Sequence, residues 1–332
     1  MDYSKLKLTV SSSPHIRAQD DTRSIMLDVI IALMPALIAA VYYFGPRALA
    51  VTVVSVAGCV FFEWLYRKVM KKPQSINDLS AVVTGILLAY VCPVGVAYWA
   101  LLIGDAFAII IVKQIFGGLG KNFMNPALGA RAFMFSWASM MGTWEVVGKY
   151  AGVLSTADAV TGATPLSYMH QGLMPDGTTV MQMFLGQTGG CIGEVSALML
   201  IIGGIYLVWR RVITLHTPLA FILTVAVLTL CFSRGNPNVP WMIYNVLGGG
   251  VMLGAIFMAT DYATSPVTKK GQIIFGIGCG LITVFIRYFG TYPEGVMFSI
   301  ILMNCTVWLI DRHVKPARFG YVKPEKKEAE AK

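Results

Sequence analysis

The sequence predicts an all-α, polytopic membrane protein of about ten transmembrane helices, arranged as two inverted five-helix halves with both termini cytoplasmic. Three observations carry this. Of 332 residues, 56% are hydrophobic and only 13% charged, about half the charged fraction of a soluble chain, and the mean hydropathy is +0.66. Apolar runs long enough to cross a bilayer recur along the chain. Lysines and arginines gather at the ends of those runs, and counting spans puts every such cluster on one side.

The net charge of +9 is spread over these short clusters. It forms no single basic and aromatic face, so it suits cytoplasmic loops and anionic headgroups of the lipid bilayer, and no nucleic-acid partner is expected. Residues 1–24 are polar and basic (Lys5, Lys7, Arg17, Arg23) and lack the apolar core of a signal peptide. The first membrane half occupies 25–141. Its first span, 25–44, turns at Gly45-Pro46 into a second, 48–66, closed by Arg67, Lys68, Lys71 and Lys72. Residues 79–91 are short for a span and are broken by Cys92-Pro93-Val94-Gly95 before a run over 97–112. Such a break is tolerated at membrane depth only where protein or a cavity covers the freed backbone groups. A glycine- and amide-rich turn, 113–131, leads into a fifth span ending near Met141.

An extracytoplasmic loop, 142–194, follows. The second half, 195–310, holds spans over 195–209, 218–232, 246–260, 273–289 and 296–310, with an outer loop at 233–245, and a basic cytoplasmic tail covers 311–332. Residues 83–89 resemble 252–259, each followed by a polar or proline-containing break, which supports an internal repeat.

Ionisable residues inside spans must be paired or line a polar cavity. Glu63, Arg287 and Asp311 sit near predicted span ends, where snorkelling to the interface satisfies them. Asp105 lies deeper and Asp261 closes a broken helix, so an ion path and a purely structural pairing both remain open for these two. The six cysteines are scattered singly and the four histidines lie far apart, so no metal site is expected. No serine nucleophile elbow or carboxylate pair suggests a hydrolase, and no catalytic residue is assigned. The run Phe116-Gly117-Gly118-Leu119-Gly120 lacks the strand–turn–helix setting of a dinucleotide site. It reads as a tight turn in which glycine supplies positive φ and Asn122 and Asn125 satisfy backbone groups. A helix start there, with Arg131, also suits an anionic or polar ligand.

The polar interruption at 155–166 is the remaining candidate. On its own it reads as a loop with Asp158 as a helix N-cap. Together, the run 113–133, the motif Asp158-x-x-Thr161-Gly162-Ala163-Thr164-Pro165-Leu166 and the segment 261–268 (Asp261-Tyr262-Ala263-Thr264-Ser265-Pro266-Val267-Thr268) resemble the D subunit of the Rnf ferredoxin:NAD⁺ oxidoreductase complex. The B subunit of the Na⁺-translocating NADH:quinone oxidoreductase is its relative. The short N-terminal segment favours the former.

The resemblance implies a fold like that of urea transporters, with FMN esterified through its phosphate to Thr164. Asp158, Thr161, Gly162 and Ala163 would then form the recognition motif for an exported flavin transferase. It also implies a noncovalent riboflavin in some members, for which Asn125 and Arg131 are candidate pocket residues by polarity and position. The expected partners are the A, B, C, E and G subunits of the complex, in the plasma membrane of a prokaryote. Electrons would be relayed between ferredoxin and NAD⁺ with movement of Na⁺ or H⁺. A solute channel or secondary transporter on the same fold, with a midplane site near Asp105 and Asp261, is the alternative.

Overall fold

The computed structural model describes residues 21–137, 162, 164–175, 177–194 and 196–316. The described residues form helices and contain no strand. Helices α1 (Thr22–Phe44) and α2 (Pro46–Val69) form an antiparallel hairpin turned at Gly45, which holds φ +79°, with Pro46 pre-set as the first residue of α2. Both are long and apolar enough to cross a membrane, as is α12 (Lys269–Phe289).

The short α3 (Ser80–Tyr90) ends at the Cys92-Pro93 break, and α4 (Tyr98–Ala106) continues as a π-helical stretch, Phe107–Gln114. Asn125 caps α5 (Pro126–Met134): its side-chain oxygen accepts from the Ala127 and Leu128 amides. The turn before it holds Gly117, Gly118 and Gly120 at positive φ, as the glycine spacing predicts. Two short helices follow, α6 (Pro165–His170) and α7 (Val180–Leu185), then α8 (Ala197–Trp209) and α9 (His216–Cys231).

Residues 233–245, expected as an outer loop, are largely helical. Helix α10 (Asn238–Leu247) buries Trp241, Tyr244 and Asn245, and meets α11 (Val251–Leu253, continuing as a π-helical stretch to Met258) at a bend of 62°. The mixed Pro, Asn and Trp composition hides a helix whose buried side is only a few residues wide. After α12, α13 (Val296–His313) completes the described helices.

Helices α1 and α8 pack along their length, and Gly203 is the reason they come so close: a Cβ there would lie 2.1 Å from the Ala32 carbonyl oxygen. Helices α9 and α12 make another tight pair, through Gly276 and Gly280. Beside α1, Asp28 accepts from the Tyr206 hydroxyl at 2.8 Å and pairs with Arg210 at 3.1 Å.

Both breaks are closed by arginines, which answers where their freed carbonyls go. Arg47 Nε and Nη2 donate to the Val94 and Val96 oxygens. Arg287 donates to the Asn245, Gly248 and Gly249 oxygens at 2.6, 2.9 and 3.1 Å. Arg287 is therefore no interfacial snorkeller; it is 2% exposed, and only the neighbouring carbonyls make that burial tolerable. Glu63 also departs from the interfacial expectation. It is fully buried, paired with Lys113 at 2.8 Å, and accepts further bonds from the Gln114 amide and the Ser75 hydroxyl. Its partners come from the π-helical stretch and from the turn after α2, so no local pattern announces them. Asp311 lies near the end of α13 and accepts from the Val267 amide.

Candidate functional site

Thr164 stands immediately before α6 in extended conformation (φ −74°, ψ 153°), with Pro165 opening the helix. Its hydroxyl accepts from the Ser167 amide at 3.3 Å and lies 3.0 Å from the Ser167 hydroxyl, so Thr164 is the N-cap. Gly162 is exposed; Asp158, Thr161 and Ala163 lie outside the described residues. Helix α6 is held down by Leu166 and Met169, buried against Met183, Trp241 and Tyr244. At its far end, His170 Nδ1 meets the Arg287 oxygen at 2.9 Å and Arg234 donates to the His170 carbonyl at 3.0 Å.

Thr164 faces a shallow cleft lined by Met183, Gly189, Gly190, Gly249, Glu194 and Glu294, among others. Glycine shapes one wall for two reasons. Gly249 holds φ +54°, and a Cβ there would lie 2.4 Å from Leu166 and 3.2 Å from Arg287.

A charged cluster forms the floor. Arg131, on α5, makes a two-pronged pair with Glu294 and donates to the Cys191 sulfur at 3.5 Å. Glu194 Oε1 is buried with no hydrogen-bond partner. Burial, then the Glu294 carboxylate, raise the Glu194 carboxyl to about 7, while Arg131 opposes the shift. Cys191, Glu194 and Glu294 each bring a ligating atom within 4.8 Å of the others, but the guanidinium of Arg131 already supplies the positive charge there. With Arg287 adjoining Gly249, two cations face two carboxylates, and the cleft carries no net excess of either sign.

A second cleft opens at the opposite end of α1 and α8. Its polar lining includes Ser80, Thr84, Lys113, Asn122, Asn125 and Asp261. Asn122 is 5% exposed; its amide nitrogen donates to the Met124 oxygen, while Oδ1 has no partner. Asp261 accepts from the Ala263 amide and the Thr264 hydroxyl, and burial raises its carboxyl above the ordinary range.

The structure thus separates residues that lie close in the sequence. Asn125 lines the second cleft, whereas Arg131, six positions along α5 and about 9 Å away by helix rise, pairs with Glu294 behind the lining of the first. Asp105 lines neither cleft. It accepts from Ser55 at 2.6 Å and from Cys59 at 3.3 Å, and its Oδ2 is buried without a partner. Asp105 and Asp261 therefore do not meet in either of these clefts. Glu194 and Glu294 escape a sequence reading because they are 100 positions apart; the only local hint is an acid beside a glycine turn in each.

Known proteins match this chain over nearly its whole length. The model of the NQR2, RnfD, RnfE family matches residues 9–320. The chain is 49% identical over 330 residues to the D subunit of the Na⁺-translocating ferredoxin:NAD⁺ oxidoreductase complex of Acetobacterium woodii, covering 98% of this chain and 99% of that one. It is 41% identical to the D subunit of the proton-translocating ferredoxin:NAD⁺ oxidoreductase complex of Clostridium ljungdahlii (94% and 96% covered). It is 35% identical to the D subunit of the ion-translocating oxidoreductase complex of Stutzerimonas stutzeri (89% and 91%).

Proposed function

Because the chain belongs to the NQR2, RnfD, RnfE family, we propose that it works as a flavin-bearing D subunit of an ion-translocating ferredoxin:NAD⁺ oxidoreductase complex, with FMN esterified to Thr164. In this reading it spans the membrane of a prokaryotic cell about ten times, as two inverted five-helix repeats with cytoplasmic termini and Thr164 outside. The partners are the A, B, C, E and G subunits and an exported flavin transferase recognising Asp158, Thr161, Gly162 and Ala163.

The observation that carries the proposal is Thr164 itself, a hydroxyl at the mouth of a glycine-walled cleft with an unpartnered polar atom in its floor. The residues fit the group. Gly249 lets Leu166 and Arg287 pack against the cleft wall, and the balance of Arg131 and Arg287 against Glu194 and Glu294 leaves no net repulsion for a phosphate ester. The bound flavin would supply electron transfer. The chain's own share is to fix the attachment point through the cap to Ser167 and the anchoring of α6, and to hold charge around the isoalloxazine through the Arg131–Glu294 pair.

The second cleft is our choice for the noncovalent riboflavin. Asn122, with an unpartnered buried oxygen, offers an acceptor to a flavin's ring N–H, and Lys113, paired with Glu63, also lines the cleft. Asn125 lines that pocket and Arg131 does not. Asp261, which lines this cleft, and Asp105, in the helical body, are the carboxylates this reading assigns to ion movement.

Denaturing electrophoresis under ultraviolet light tests the proposal. Co-expressed with a flavin transferase, the wild-type band should fluoresce and Thr164→Ala should not. A dark wild-type band would sink it and leave the channel or transporter reading standing.

A further inference from the structure

Neither cleft uses the face formed by α1, α2 and α3. There a groove of about 680 Å³ opens sideways between α1 and α2, with Ile86 and Tyr90 of α3 at its back. Its walls are bulky and apolar, with Met34 from α1 and Val53, Phe61 and Trp64 from α2. The polar groups it meets are satisfied internally. The Tyr90 hydroxyl donates to the Leu33 oxygen at 2.8 Å and Thr52 to the Ala48 oxygen at 2.9 Å. A polar solute has nothing to bond to here, whereas hydrocarbon matches the whole lining.

The groove has the length and the charge of a lipid site. Leu49 and Trp64 both line it, fifteen helical positions apart and so about 22 Å. That exceeds one leaflet of hydrocarbon, half of about 30 Å. Just beyond Trp64, α2 ends in Lys68, Lys71 and Lys72, all exposed or nearly so, and α1 begins beside them with exposed Arg23. Lys68 Nζ lies 4.5 Å from the Trp64 ring centroid and Lys72 Nζ 5.4 Å from that of Tyr66. Of the acids at this end, Glu63 pairs with Lys113 and Asp28 with Arg210, which leaves Asp21 and Asp78 against Arg23, Lys68, Lys71 and Lys72. The end carries a net positive charge at headgroup level.

We propose that this groove binds an anionic phospholipid, with one acyl chain lying along α2 and the phosphate held by Lys68, Lys71 and Lys72. A partner subunit's helix is the competing occupant. Helix contacts in membranes favour small residues and shared polar groups; this groove offers branched and aromatic walls and a cationic rim, which favours a lipid.

The test uses the intact complex purified in mild detergent. Phospholipids extracted from it are quantified by mass spectrometry, and a photoreactive benzophenone side chain replaces Val53 in a parallel preparation. Anionic phospholipid should be enriched over the host membrane. It should fall several-fold in the Lys68→Gln/Lys71→Gln/Lys72→Gln variant, while neutral phospholipid stays constant, and the photoadduct should have a lipid mass. Wild-type retention of anionic lipid by the triple variant, or a photoadduct on a partner subunit, would overturn the inference. The triple variant touches neither cleft, so an unchanged yield of assembled complex serves as its folding control.

Discussion

Replacing Arg131 with methionine should destabilise the chain by about 3 kcal/mol, the lower end of the cost of stranding one member of a buried ion pair. The figure follows from position. The Arg131 side chain is 3% exposed and its partner Glu294 18% exposed, so water relieves part of the penalty on Glu294. Glu194, already unpartnered at one oxygen, loses the favourable field of that cation as well. Methionine keeps most of the volume, which isolates charge from packing. The assay is detergent-induced unfolding of the purified complex, comparing wild type with Arg131→Met, Glu294→Gln and the double variant. If pairing is what matters, the double variant regains most of the loss, because neither member of the pair is left stranded and only the Arg131 field at Glu194 stays lost. A double variant as unstable as the sum of the singles would refute the reasoning and assign Arg131 to packing.

Three further outcomes are expected. Gly249→Val should reduce covalent flavin fluorescence although Thr164 is intact, because its side chain would enter the space between Leu166 and Arg287; undiminished fluorescence would detach the cleft from the attachment site. Glu194 should make stability depend on pH: its folded value of about 7 lies above the ordinary 4.5, so its contribution is complete below 4.5 and is lost as pH rises through 7, by at most about 1.4 kcal/mol per unit. In Glu194→Gln, unfolding measured from pH 5 to 8 should be flatter than in wild type, and matching slopes would remove Glu194 as the cause. Asn122→Leu should lose noncovalent flavin from the purified complex while the Thr164-linked fluorescence persists; full retention of both would move riboflavin elsewhere.

The features legible in the sequence are those that repeat or interrupt a local pattern. Helices α1, α2 and α12 follow from apolar runs and the first break from Pro93, whereas the bend at 248–250 falls inside what reads along the chain as one span, 246–260. Partners are what a linear pattern hides. Glu63 looks like a residue near a span end until Lys113, 50 positions later, is folded against it. Arg287 looks the same until the bend at Gly248–Gly250 turns its carbonyls inward. Asn125 and Arg131 share polarity along the chain, but a helix places residues six apart on different turns and facing different ends. The resemblance motif has the reverse character: it singles out Thr164 from neighbours alone, and the structure adds the cleft beside it.

The broken helix α10–α11 links the two clefts in a way that an unbroken span would not. Leu247, Gly248 and Gly249 line the Thr164 cleft, and Phe257, Thr260 and Asp261 line the other. Twelve positions separate Gly249 from Asp261, which is at most about 18 Å of helix, against about 30 Å of hydrocarbon. The 62° bend at the glycines lets the first cleft sink into the body of the protein, and the carbonyls it frees are the ones Arg287 satisfies. If both clefts hold flavins, the bend brings the two redox groups closer together than two opposite membrane surfaces would allow. The buried Arg287, costly in hydrocarbon, is then the residue that permits that proximity.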